Sequence, residues 1–107
     1  MDRVAEYRQI VCNFLQDFVT DDPEAQLIFD PERDHYLVMH VGWRGEYRIY
    51  GCAMQLDIIN GNVWIQHNST EVVIDQELIQ RGILCQDIVF GFRSPNIRER
   101  LAAALQG

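Results

Sequence analysis

A chain of 107 residues with 48% apolar residues and a formal charge of -7 carries enough apolar material for one folded core. It is too acidic to be an unaided binder of duplex nucleic acid, although all nine basic residues are arginine. No apolar run reaches membrane-spanning length and the N-terminus lacks a basic region followed by an apolar stretch, so a cytoplasmic protein forming a single domain over residues 1–107 is expected. Cys12, Cys52 and Cys85 are odd in number, widely spaced and outside any CxxC, the pattern of buried free thiols in a reducing compartment.

In chain order, residues 2–19 predict an amphipathic helix capped by Asp2. Val4, Tyr7, Val11, Phe14, Leu15 and Phe18 recur on one stripe. Asp21-Asp22-Pro23 ends it. The acidic run from Asp17 to Asp34 reads either as a docking surface for a basic partner or as a solvated loop. Ala25–Phe29 predicts a short strand and Asp30–Asp34 a turn, whose acids lack the spacing and the glycine of a calcium loop.

The stretch His35–Asn68 predicts three antiparallel strands, His35–Trp43, Tyr47–Ile59 and Asn62–His67. They are joined by turns at Arg44-Gly45 and Asn60-Gly61. Two-residue loops at these places put Leu37, Met39, Val41, Tyr50, Cys52, Met54, Leu56, Ile58, Val63 and Ile65 on one apolar face, which the first helix would cover. The opposite face would then carry Val38, His40, Ile49, Gln55, Asp57, Trp64 and Gln66. Six of these, Val38, His40, Ile49, Gln55, Trp64 and Gln66, form the candidate partner or dimer interface, unless later segments of the same chain cover it.

Asp75 is placed to cap a short helix, Gln76–Arg81, that Gly82 stops. Ile83–Phe92 combines a helical turn with a buried extended segment. Ser94-Pro95 opens a last helix whose Ile97, Leu101, Ala102 and Leu105 would face the body. The fold class is therefore α+β: an antiparallel meander of about four strands, packed on one face by an N-terminal helix and followed by two short C-terminal helices.

Catalytic patterns are weak. The predicted register sets His35 and His67 on either side of Met54, about 10 Å apart across two strand spacings, with His40 on the other face, so no three histidines converge on one ion. Cys52 and His35 share a predicted face, but no neighbour activates the thiol. The glycines Gly42, Gly45 and Gly51 lie within hairpins and no lysine is present, unlike a phosphate loop. No catalytic residue, cofactor or metal is expected.

Taken together, Ile28-Phe29-Asp30, Glu32-Arg33-Asp34-His35-Tyr36, Met39-His40-Val41-Gly42-Trp43, Tyr50-Gly51-Cys52, Leu56-Asp57-Ile58, Trp64-Ile65-Gln66-His67-Asn68 and Asp87-Ile88-Val89 with Gly91-Phe92 resemble the cyanobacterial XisI family, in order and over nearly the whole chain. At position 93 the chain has arginine where members of that family often carry histidine. The resemblance implies an accessory or regulatory role in site-specific excision of the fdxN element, a DNA segment removed in differentiating nitrogen-fixing cells. It implies a XisH-like partner and a separate recombinase that performs strand exchange. Three readings follow: a non-catalytic protein acting through protein partners, with a homodimer possible; a DNA-binding accessory factor using Arg93, Arg98 and Arg100; and a small metal-dependent enzyme.

Overall fold

The structure, a computed structural model, describes residues 2–106, with side chains described through Leu101. Its first element, α1 (Arg3–Phe18), starts where the Asp2 carboxylate accepts the Val4 N–H at 3.0 Å, satisfying one of the orphan donors of the first turn. Asp21, at a φ of 68°, turns the chain back beyond the helix. Five strands follow: β1 (Ala25–Asp30), β2 (His35–Arg44), β3 (Tyr47–Ile59), β4 (Asn62–Asn68) and, after α2 (Ile74–Gln80) and a 3-10 turn at Cys85–Asp87, β5 (Ile88–Phe90). The last element is α3 (Pro95–Gln106), with the Ile97 N–H bonded to the Ser94 hydroxyl.

The strands lie in the order β1-β2-β3-β4-β5. The first four form the antiparallel meander. β5 pairs parallel to β4 and makes the sheet mixed, with one strand more than expected. The crossover that returns it includes α2 and the 3-10 turn, as a parallel connection requires.

The second hairpin keeps its predicted register: Ile58 opposes Val63 and Leu56 opposes Ile65. The first does not. Its turn is Gly45-Glu46, with Arg44 opposite Tyr47 and Gly45 at a φ of 63°. A glycine with positive φ at the first loop position suits the type II′ hairpin, so Gly45 sits one place earlier in the loop than expected. Moving the loop by one place shifts the pairing by two residues, from Met39 opposite Tyr50 to Met39 opposite Cys52, and so leaves the same faces together; the faces change only further along, where β3 carries an extra residue at Ala53. Tyr36 and Val38, each 1% exposed, pack under α1, while Leu37, Met39 and Val41 lie on the face without helices. A bulge at Ala53, between Met54 opposite Val38 and Cys52 opposite Met39, then keeps Met54, Leu56 and Ile58 in the core and turns Tyr50 and Cys52 away from it.

The core joins α1 (Tyr7, Val11, Phe14, Leu15) to Tyr36, Val38, Met54, Leu56, Val63 and Ile65 of the sheet and to Ile74, Leu78 and Ile83. Two polar ties cross it. The Tyr7 hydroxyl donates to Asp87 at 2.6 Å and accepts from the Leu84 N–H. Arg8 holds Asp34 through two bonds of 2.7 and 3.0 Å.

Two further expectations are corrected. α2 begins at Ile74 after Val73, which makes no side-chain cap bond, and Asp75 sits inside its first turn. Ile97 and Leu101 are 46% and 40% exposed and do not pack on the body; Ala102 and Leu105 fall outside the described side chains. No helix among the described residues is long and apolar enough to cross a membrane.

Candidate interaction face

Register alone assigns the helix-free face. It carries Leu37, Met39, Val41 and Trp43 from β2, Arg48, Tyr50, Gln55 and Asp57 from β3, and Trp64 and Gln66 from β4. Of the six residues expected to form one interface, only Gln55, Trp64 and Gln66 lie here. Val38 is buried beneath α1, and His40 and Ile49, opposite Gly51 and Gly42, point to the helix side. The extra residue at the Ala53 bulge, which puts Val38 rather than Leu37 on the face of Met54 and Leu56 and carries His40 and Ile49 with it, accounts for all three.

Asp57, only 4% exposed, is the buried carboxylate at the centre of this face. It accepts from His35 Nδ1 at 3.0 Å, from Gln55 Nε2 at 3.1 Å and from Gln66 Nε2 at 3.1 Å. A carboxylate only accepts, so His35 carries its proton on Nδ1 and turns Nε2 outward. A bulge in β4 beside Gln55 and Leu56 is what allows Gln66 to reach Asp57. Sequence patterning placed Asp57 and both glutamines on one face. It missed His35, because the predicted register set His35 opposite Met54 rather than Asp57.

Arginines sit on aromatic rings around this centre. The Arg98 guanidinium lies 5.1 Å from the Trp64 ring and Arg48 lies 5.1 Å from Trp43. Arg93 covers Phe90 at 4.6 Å, and its carbonyl accepts from Arg98 at 2.6 Å, which ties the start of α3 to the end of β5. Arg3, Arg8, Arg33, Arg44 and Arg81 pair with carboxylates, whereas Arg48, Arg93, Arg98 and Arg100 have none within ion-pair distance among the described residues.

The acidic run is largely engaged inside the chain. Glu24 binds Arg44 at 2.7 Å, Asp30 binds Arg33 and Asp17 binds Arg81, so it is not a free anionic surface. Arg44 and the Trp43 N–H hold the Glu24 carboxyl below the usual range. That carboxylate lies where a side chain at position 42 would have to stand, which explains Gly42. His40 Nε2 lies 3.5 Å from Asp22 and 3.7 Å from Glu24 without a hydrogen bond to either.

Burial pushes the Cys12 and Cys52 thiols up, away from the nucleophilic thiolate, and the Cys52 thiol donates to the Met54 carbonyl. Cys85 is exposed rather than buried. Cys52 opposes Met39, four residues from His35 along β2 and hence roughly 13 Å away. His67 stands opposite Gln55 and His40 opposite Gly51. Among the described residues no three His, Cys, Asp or Glu side chains form a group that could hold a metal ion.

The sequence model of the XisI protein family matches residues 1–104. This chain belongs to the XisI family. The crystal structure of a XisI-like protein from Anabaena variabilis is 38% identical. The match covers 92% of this chain and 94% of that one, with a TM-score of 0.84. A second crystal structure, of the fdxN element excision controlling factor XisI from Anabaena variabilis, is 31% identical over 92% and 95% of the two chains, with a TM-score of 0.78. Comparison with curated proteins gives no match. The XisI fold is thus the α+β arrangement described above, with Asp57 and Trp64 on the sheet face away from α1, where Arg98 of α3 reaches the Trp64 ring.

Proposed function

We propose that this XisI-family protein is a non-catalytic accessory factor of site-specific DNA excision that acts by binding a protein partner, a XisH-like protein, through its helix-free sheet face. The observation that carries this reading is the make-up of that face. Half-buried Leu37, Met39 and Val41 flank an Asp57 whose acceptor capacity is taken up by His35, Gln55 and Gln66. Such a surface gains by excluding water against a partner, and its carboxylate is already spent on internal donors. The protonated thiols at Cys12 and Cys52 point the same way. Capture from the native organism tests it: the wild-type protein should retain a XisH-like protein and Trp64→Ala should lose it. Strand cleavage or rejoining by the pure protein would overturn it.

A second reading, direct contact with excision-site DNA, draws on the arginines Arg93, Arg98 and Arg100, which lack carboxylate partners among the described residues. Phosphate contacts release counterions, so this reading requires duplex binding that weakens steeply with salt. The partner-binding reading expects no such binding by the isolated protein.

A further inference from the structure

β3 is longer than its neighbour on one side. It runs Tyr47–Ile59, but β4 ends at Asn68 opposite Met54. The segment Tyr47–Gly51 therefore pairs with β2 along one edge and leaves the other edge open among the described residues, up to the Cys52 carbonyl, which accepts from the Ser69 hydroxyl. β1 begins opposite His40, and Glu24 just before it accepts the Val41 and Trp43 N–H groups, so the arm formed by Val41–Arg44 and Tyr47–Gly51 is a two-stranded ribbon braced along its β2 edge and open along its β3 edge. An open edge is a template for another strand.

The ribbon is also aromatic. Trp43, Tyr47 and Tyr50 are 57%, 80% and 69% exposed. With about 150–250 Å² on each such side chain, they leave roughly 400 Å² open, about half of the ~800 Å² per partner that a stable interface buries. The backbone edge and the adjoining strand surface are available for the remainder.

Gly51 supplies a second, independent observation. It has an ordinary negative φ, and a Cβ built on it would meet nothing within 4 Å, so nothing among the described residues requires a glycine there. It lies in an open depression of about 430 Å³ bounded by Ile49, Gly51, Ser69 and Thr70. A bare glycine in a strand marks close approach by another backbone or an aromatic neighbour across the strand.

We propose that a second copy of the chain fills this edge, with β3 pairing antiparallel to β3 about a two-fold axis at Ile49, so that two sheets become one. Centring the pairing on Ile49 sets Tyr47 beside the partner's Gly51 and Arg48 beside the partner's Tyr50. Positions 47, 49 and 51 share the helix-side face, and positions 48 and 50 share the other. The aromatic ring covers the glycine, and the guanidinium meets a second aromatic face. Because the patch is its own complement, the assembly closes at two copies. This inference does not depend on the accessory reading: oligomeric state is read on the pure protein, without any excision component.

Sedimentation of the full chain is expected to give twice 12.5 kDa at micromolar concentration. Gly51→Leu, which fills the depression, and Tyr47→Ala, which removes its occupant, should each weaken association at least tenfold. The two should not add, because they disrupt one contact. Circular dichroism of both variants should match the wild type. Ile49→Cys, in a Cys85→Ser background, should cross-link across the axis under mild oxidation. A wild-type monomer throughout the concentration range would overturn the proposal. So would a dimer indifferent to both substitutions, or one that dissociates only when α3 is removed.

Discussion

At the scale of single residues, the turn between β1 and β2 is held by one acid. Asp34 adopts a φ of 60°, accepts two bonds from Arg8 and one from Tyr36, and so locks the turn to α1. The Arg8 guanidinium first, and then the Tyr36 hydroxyl, keep its carboxyl below the usual range against the opposing effect of burial. A carboxyl depressed in the folded state stabilises fully above its unfolded titration, about pH 4, and that contribution is lost as pH falls through the folded value. Asp34→Asn keeps a residue that tolerates positive φ and removes the charge. The variant is expected to be less stable than wild type at pH 7, with the difference shrinking on acidification. Urea unfolding at several pH values measures this, and a constant difference down to pH 2 would contradict it. Asp57 makes a different case, because its partners are donors on a half-buried face. Asp57→Ala strands His35, Gln55 and Gln66 and should cost about 1–3 kcal/mol, toward the lower end because those groups can partly reach water.

At the scale of elements, the two hairpins show what sequence reasoning reads and what it misses. Asn60-Gly61 is legible because both residues take positive φ, 52° and 81°, and the flanking apolar pattern agrees with only one register. Around Gly45 the pattern is ambiguous. Leu37, Met39 and Val41 alternate as well as Tyr36 and Val38 do, so both faces of β2 look apolar and the bulge at Ala53 decides which of them meets the core. The bulges beside Ala53 and Gln66 leave no signature in periodicity, since each inserts one residue into an otherwise regular alternation. The placement of Gln55, Trp64 and Gln66 together on the face away from α1 was legible for the same reason that the second turn was. β5 was too short to be recognised as a strand, and its parallel pairing is set by tertiary packing rather than local preference. Methionines on the two faces test this register. Met54→Ala removes a fully buried side chain and should cost about 2–5 kcal/mol, whereas Met39→Ala, on the half-covered face, should cost less than about 1 kcal/mol. Equal losses on urea unfolding would return Met39 to the core.

At the scale of the whole molecule, the mass divides into a packed body and two projections, the ribbon Val41–Gly51 and α3, within extents of 51 × 33 × 24 Å. The body holds the buried core; among the described residues none of its fully buried members lies beyond Ile83, and Ile88 and Phe90 pack against it partly buried. α3 meets it through Arg98 on Trp64 and through the Arg98–Arg93 bond. A helix of this length gains little stability on its own, so its removal should barely affect the body. A chain ending at Ser94 is therefore expected to unfold within about 0.5 kcal/mol of the full protein. Trp64, however, loses the guanidinium that covers it and becomes more exposed on the helix-free face. In a Trp43→Phe background, where Trp64 is the sole tryptophan, its emission should shift to the red and become more accessible to acrylamide in the shortened chain. If partner capture depends on Trp64 as a covered anchor, Arg98→Ala should reproduce both the spectral change and the loss of capture while leaving α3 in place. If capture survives Arg98→Ala but fails in the shortened chain, the partner grips α3 itself, and Ile97 and Leu101, exposed in the free protein, are the residues to substitute next.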